Sequence, residues 1–125
     1  MNTINVEVNK TVSETKKQGF VNVAETSEIP IGQMKAVKLE DKEILIANVD
    51  GSYHAIGSRC THAGADLSKG PLEGSIITCP RHKARFDVTT GKVVYRPKYW
   101  MWELKLDDEP VYEVKVDRNN ILIKY

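Results

Sequence analysis

The feature that most constrains this sequence is a pair of similar cysteine–histidine motifs. Cys60 and His62 form C-x-H, Cys79 and His82 form C-x-x-H, and residues 63–78 separate the two pairs. The chain holds only two cysteines and three histidines, so chance explains two such pairs poorly. Thiolates and imidazoles are ligands that suit zinc or iron–sulfur chemistry and do not suit calcium or magnesium. The fold must therefore bring two loops together around a metal centre.

The sequence around these motifs predicts strands and turns. Residues 57–80 hold four of the eight glycines and two of the five prolines, a composition typical of loops. No window shows a helical stripe of apolar residues. We expect an all-β fold, an antiparallel β-sandwich with a small two-loop subdomain at about residues 57–88. The predicted strands are residues 20–24, 34–39, 43–49, 52–56, 76–78, 86–88, 112–116 and 121–125, with tight hairpins at Asp50-Gly51 and at residues 117–120.

Length and composition indicate one globular domain. With 125 residues, 41% hydrophobic and 28% charged, the chain is expected to fold as a domain over residues 20–125 behind an N-terminal extension over residues 1–19. The net charge of +1 argues against a nucleic-acid-binding protein. No apolar run is long enough for a membrane span or a signal peptide, and two cysteines used as thiolates suit a reducing compartment. We expect a cytoplasmic protein.

The distribution of cysteine and histidine between the two motifs helps to distinguish a zinc site from an iron–sulfur cluster. Structural zinc sites usually pair like ligands, as C-x2-4-C with H-x3-5-H, around one ion. Here each motif supplies one cysteine and one histidine, a mixture that suits a binuclear cluster with a different ligand pair on each iron. The spacing favours a 2Fe-2S cluster, and a zinc-stabilised interaction module stays open as the alternative.

The two motifs closely resemble the signature of the Rieske family. The segment Phe-Asp-Val-Thr-Thr-Gly at residues 86–91 also resembles the strand and turn that follow the second loop in that family. The resemblance runs from about residue 20 to the last residue and is weakest across residues 98–109. It implies a soluble one-electron carrier, a ferredoxin and not an enzyme, that works between a reductase donor and an acceptor. The implied cluster ligands are Cys60 and Cys79 on one iron and His62 and His82 on an outer iron.

The resemblance leaves two functional alternatives, and its departures predict a low potential. The same residues would serve the ferredoxin component of an oxygenase or another multicomponent oxidoreductase, or a redox sensor. High-potential members carry disulfide-forming cysteines where this chain has Ala65 and Arg81, and hydroxyls where it has Ala84 and Phe86. With fewer hydrogen-bond donors to the cluster, we expect a potential in the lower half of the range of about −150 to +300 mV. Lys83 is a further departure, because glycine is common after the second histidine.

Three other features have both a structural and a functional interpretation. His54 is expected to be an ordinary strand histidine rather than a ligand. The aromatic stretch at residues 99–102 is interpreted as core packing of a local insertion, with a docking surface as the alternative. Basic residues dominate residues 59–98 and predict a rim that steers an acidic redox partner, unless they are only a solvated surface. The residues concerned are Arg59, Lys69, Arg81, Lys83, Arg85, Lys92, Arg96 and Lys98, against Asp66, Glu73 and Asp87.

Overall fold

A computed structural model describes residues 19–61, 64–99, 102–103 and 106–125. All but one residue of the expected extension over residues 1–19 lies outside these ranges, as do His62, Trp100 and Met101. The helical segments described are two 3-10 turns, Thr26–Glu28 and Leu67–Lys69, and neither is long or apolar enough to cross a membrane. The remaining elements are antiparallel strands, so the all-β prediction is confirmed.

The strands form one large sheet and two small ones. The large sheet has the order β1-β12-β11-β4-β3-β2, a second sheet is the meander β5-β6-β7-β8, and β9 pairs only with β10. Their bounds are β1 (Phe20–Glu25), β2 (Met34–Leu39), β3 (Lys42–Val49), β4 (Ser52–Gly57), β5 (Leu72–Glu73), β6 (Ile76–Thr78), β7 (Arg85–Asp87), β8 (Val93–Tyr95), β9 (Lys98–Tyr99), β10 (Trp102–Glu103), β11 (Val111–Asp117) and β12 (Asn120–Lys124).

Two-residue turns close the hairpins of the large sheet. Asp50 and Gly51 join β3 to β4 with φ angles of 53° and 94°, and Arg118 has a φ of 59° in the turn between β11 and β12. Left-handed residues suit these turns because their backbone twist matches that of the flanking strands. Both predicted hairpins are confirmed.

Strand β3 is buried on both faces and separates two hydrophobic cores. Ile44 and Ile46 point into one core with β1, β2 and β12, whereas Leu45 and Ala47 point into the other. All four side chains are inaccessible to solvent. An unbroken apolar run is the sequence pattern of a strand covered on both sides. The second core contains both cysteines, so the large sheet is the platform on which the candidate site is built.

Four short strands and one side-chain orientation differ from the prediction. Strands β5, β8, β9 and β10 are two or three residues long, too short to produce a visible alternation. Along β11, Tyr112 and Val114 pack against the first core as expected. The expectation that Val116 faces inward is wrong, because this side chain is 46% exposed near the end of the strand.

Candidate metal centre

Two loops with the same backbone hydrogen bonds carry the predicted ligands. Loop 1 is defined here as residues 60–65 and loop 2 as residues 79–84. In each loop the cysteine N–H donates to the carbonyl of the sixth residue, Cys60 to Ala65 at 2.8 Å and Cys79 to Ala84 at 2.7 Å. In each, the N–H of the fifth residue donates back to the cysteine carbonyl, at 2.8 Å in loop 1 and 3.0 Å in loop 2. The similarity of the two motifs therefore extends to their backbone.

The fifth residue of both loops lies in the left-handed region. Gly64 has a φ of 71° and Lys83 a φ of 66°. Glycine adopts this conformation without penalty, whereas a lysine there costs free energy because its Cβ crowds the backbone. The equivalence of the two positions gives a physical reason why glycine suits the position of Lys83, and loop 2 keeps the same two backbone hydrogen bonds as loop 1 with a lysine there.

Each loop is mounted on a pair of antiparallel residues. Loop 2 is the tip of the β6–β7 hairpin, with Thr78 opposite Arg85 at its base. Loop 1 follows β4 and is closed by an isolated bridge between Arg59 and Asp66. The predicted placement of both loops on strands is confirmed for loop 2, whereas loop 1 has a single bridge in place of a hairpin.

Side-chain contacts reinforce the single bridge below loop 1. The Arg59 guanidinium donates to Glu43 at 2.9 Å and to the Gly64 carbonyl at 3.3 Å. The hydrogen bond to Glu43 raises the pKa of Arg59 above its usual value. Asp66 accepts from the Ser68 N–H at 3.0 Å and so caps the 3-10 turn that follows the loop. The residues on either side of loop 1 are thus fixed by Glu43 of β3 and by the 3-10 turn that follows the loop.

The segment that follows loop 1 contacts loop 2 at Gly70. A Cβ at Gly70 would overlap the carbonyl of Thr78 and lie 3.2 Å from the Pro80 ring. Thr78 also donates its N–H to the Pro71 carbonyl at 3.1 Å. The neighbours of Gly70 are thus Thr78, in the strand below loop 2, and Pro80 in the loop itself. Glycine is required there for close packing between the segment after loop 1 and the base of loop 2.

The cysteines lie inside the protein and the described histidine lies outside. Cys60 is 3% exposed and Cys79 is fully buried, and neither is in a disulfide. His82 is exposed at the tip of loop 2, and His62 lies outside the described residues. His54, the third histidine, is half-buried on β4 opposite Ala47, as expected for a structural residue. Among the described residues, no three His, Cys, Asp or Glu side chains are grouped so that they could hold a metal ion.

The environment of the thiols is apolar. The second core around them includes Ala65, Ala84, Leu67 and Phe86, all buried and without hydroxyl groups. Two buried thiols outside any disulfide and an exposed imidazole in loop 2 are donors of the kinds found in mixed cysteine–histidine 2Fe-2S clusters. The donor set and its burial therefore suit a 2Fe-2S cluster.

A buried acidic residue near loop 1 that the sequence did not indicate is Glu109. Its residue exposure is only 5%, and burial raises its pKa to about 8 against the opposing effect of a hydrogen bond from the Thr61 backbone N–H. The preceding residues, Asp107 and Asp108, are both exposed. An acidic run is normally a solvated surface, so no sequence signal distinguishes its last member.

Comparison with known proteins identifies the family. Residues 19–101 match the model of the Rieske [2Fe-2S] domain. The chain is 36% identical over 107 residues to a ferredoxin component of naphthalene 1,2-dioxygenase/salicylate 5-hydroxylase systems from Ralstonia sp., covering 86% of this chain and 96% of that protein. This chain belongs to the Rieske [2Fe-2S] domain family.

Solved structures agree with this assignment. The ferredoxin of carbazole 1,9a-dioxygenase from Nocardioides aromaticivorans IC177 is 31% identical, with a TM-score of 0.69 over 83% of this chain and 95% of that one. A complex of reduced oxygenase and oxidised ferredoxin in carbazole 1,9a-dioxygenase contains a chain that is 27% identical, with a TM-score of 0.76 over 86% of this chain and 94% of that one. The predicted Rieske-type ferredoxin fold and 2Fe-2S cofactor are confirmed.

Proposed function

We propose that this protein carries single electrons on a 2Fe-2S cluster whose ligands come equally from the two loops. The assigned ligands are Cys60 and Cys79 for the inner iron and His62 and His82 for the outer iron. The observation that carries the assignment is the matched backbone of the loops, which presents Cys60 and Cys79 from equivalent positions. The burial of both thiols and the exposure of His82 support the inner and outer placement.

The burial of the proposed ligands determines from which side a redox partner can reach the cluster. When bound, the cluster supplies a one-electron couple that is neutral in the oxidised state, because two ferric ions, two sulfides and two thiolates sum to zero. The apolar core around the two cysteines excludes water from the side of the site that faces the protein interior. The exposed imidazole of His82 reaches the surface, where a partner can approach. The apolar residues Ala84 and Phe86 offer no hydroxyl donors, which supports a potential in the lower half of the family range. A potentiometric titration with a clearly positive midpoint would refute this part.

The proposed partner surface is basic. All eight basic residues of the stretch from 59 to 98 are exposed, including Arg81, Lys83 and Arg85 in and beside loop 2. Two of its three acids are half-buried and occupied locally: Asp66 accepts from Ser68, and Asp87 accepts from Thr89. We therefore expect an acidic docking patch on the partner.

The relatives suggest which partners these are. They are ferredoxin components of dioxygenase systems, and one solved relative is in complex with its oxygenase. The proposed acceptor is an oxygenase component and the proposed donor a reductase, both in the cytoplasm, where thiol ligands stay reduced.

Two small cobalt(III) oxidants of opposite charge test the basic rim without a protein partner. The reduced protein should transfer its electron to the anionic EDTA complex more slowly as salt rises, and to the cationic hexaammine complex faster. Reversing Arg85 to Glu should weaken both trends. Lys115→Glu, an exposed substitution on β11 outside the basic stretch, is the matched control. Rates independent of ionic strength for both oxidants would contradict the proposal.

A further inference from the structure

The buried carboxyl group of Glu109 lies against loop 1. The buried polar residues of the described chain are Asn48, Ser58 and Glu109. Asn48 is satisfied, because its side chain donates to the Ile29 carbonyl and accepts from the Gly51 N–H, both at 2.8 Å. Glu109 differs: within the described ranges its Oε2 atom has no hydrogen-bond partner. A buried carboxyl group of this kind is costly and requires an explanation.

The segment that contains Glu109 holds Thr61 by two bonds. The Thr61 backbone N–H donates to the Glu109 side chain. The Thr61 hydroxyl donates to the Asp107 carbonyl at 2.7 Å. Thr61 lies between Cys60 and His62, so both of its bonds act on the part of loop 1 that carries the proposed ligands. Residues 107–109 therefore clamp loop 1 through its second residue.

Glycines on both sides make room for this clamp. A Cβ at Gly57 would lie 2.5 Å from Glu109 Oε1, and one at Gly91 would collide with the Glu109 carbonyl. The Glu109 N–H donates to the Gly91 carbonyl at 2.7 Å, and the Gly57 N–H donates to the Pro110 carbonyl at 3.0 Å. The Glu109 backbone is thus fixed against the turn before β8, and its carboxyl group lies against β4 at Gly57.

Burial favours the uncharged form of the Glu109 carboxyl group at neutral pH. Its pKa is raised to about 8 by burial. The Glu109 side chain accepts from the uncharged Thr61 backbone N–H, and its Oε1 atom lies close to Gly57 of β4. An uncharged acid can accept the Thr61 N–H without placing a negative charge near a centre that gains an electron.

We propose that Glu109 is a positioning residue of the electron-transfer site, which fixes loop 1 through the Thr61 backbone N–H. It acts as a neutral hydrogen-bond acceptor, so glutamine can replace it and alanine cannot. This inference rests on the proposed cluster site. Loss of the clamp frees the loop that supplies Cys60, and the reduction potential responds to the geometry of that loop.

The test compares Glu109→Gln and Glu109→Ala with wild type in the oxidised, cluster-loaded protein. Three quantities are measured: iron content, midpoint potential at neutral pH, and deuterium uptake of a peptide that contains Thr61. In Glu109→Ala we expect uptake about tenfold faster, which corresponds to about 1.4 kcal/mol of local opening, and a shifted potential. In Glu109→Gln the deuterium uptake and the midpoint potential should both match wild type. Asp108→Asn, an exposed change on the same segment, is the control.

Two results would overturn the inference. One is Glu109→Ala with wild-type uptake and potential, and the other is Glu109→Gln as defective as Glu109→Ala. If Glu109→Ala does not fold, Thr61→Val removes only the bond to the Asp107 carbonyl. It should shift uptake in the same direction by less, and wild-type behaviour would contradict the clamp. A wild-type protein without a 2Fe-2S cluster would refute the proposed function, whereas a loaded protein insensitive at residue 109 would refute this inference alone.

Discussion

Loop 1 and loop 2 have the same backbone hydrogen bonds but are supported in different ways. Loop 2 is the tip of a regular hairpin, and exposed cations surround it. In the part of the chain that the structure describes, a single bridge between Arg59 and Asp66 lies beneath loop 1, and contacts from Glu43 and the segment 107–109 hold it. The same pair of backbone hydrogen bonds can thus be supported by strand pairing or by contacts from neighbouring segments. We propose that loop 2 presents His82 and the cations beside it to a partner.

The largest expected effect is loss of the cluster, and it should be the same for a cysteine substitution in either loop. Changing either Cys60 or Cys79 to Ser should abolish cluster binding, because both thiolates hold the same iron in the proposed arrangement. Iron and sulfide content and visible absorption measure the loss. His54→Ala, on β4, should retain the full content. Full iron content in either cysteine variant would show that the loops do not contribute equally.

The next effect concerns the core beneath the loops. Phe86, below loop 2, is fully buried, and Phe86→Ala should cost about 3–5 kcal/mol of the free energy of unfolding. Tyr95→Ala is the matched control, because Tyr95 is 50% exposed and lies on the neighbouring strand. It should cost less than about 1 kcal/mol. Chemical denaturation followed by circular dichroism measures both. Equal losses would mean that the second core does not support loop 2.

The third effect is a pH dependence of the free energy of unfolding, caused by the Glu109 carboxyl group that contacts loop 1. The pKa of Glu109 is raised from 4.5 to about 8 in the folded protein, so between these values the folded state keeps a proton that the unfolded state has released. The stabilisation is complete below the lower value and is lost as pH rises through the upper one. The free energy of unfolding should therefore fall between about pH 5 and about pH 8. Glu109→Gln should flatten this dependence, and an equal slope in both proteins would contradict the assignment.

The smallest effect compares the two left-handed positions. Gly64→Ala should destabilise the protein by about 1 kcal/mol, because alanine is strained at positive φ. Lys83→Gly should change stability by less, since relief of strain is offset by the added entropy of the unfolded chain. Thermal denaturation of the loaded proteins measures both. If Lys83→Gly lost more stability than Gly64→Ala, the lysine side chain would have to make contacts that outweigh the strain of its backbone.

The sequence predicted the parts of this protein that depend on local chemistry. The apolar run of β3, the Asp50-Gly51 turn and the β2 strand follow from residue type and alternation, and their predicted positions agree with the structure within one residue. The cysteine–histidine spacing indicated two equivalent loops. The contacts that distinguish those loops could not be predicted, because Glu109 meets Thr61 only after the chain has folded across a long separation. Strand β8 was missed because its pairing with β7, rather than its own pattern, defines it.

The most direct test of the central claim is pulsed electron paramagnetic resonance of the dithionite-reduced protein with nitrogen-15-labelled histidine. If each loop supplies one cysteine and one histidine, two strongly coupled histidine nitrogens should appear, and His82→Ala should abolish that signal whereas His54→Ala leaves it unchanged. A spectrum without histidine nitrogen couplings, or a protein that contains a single zinc and no iron, would contradict the account.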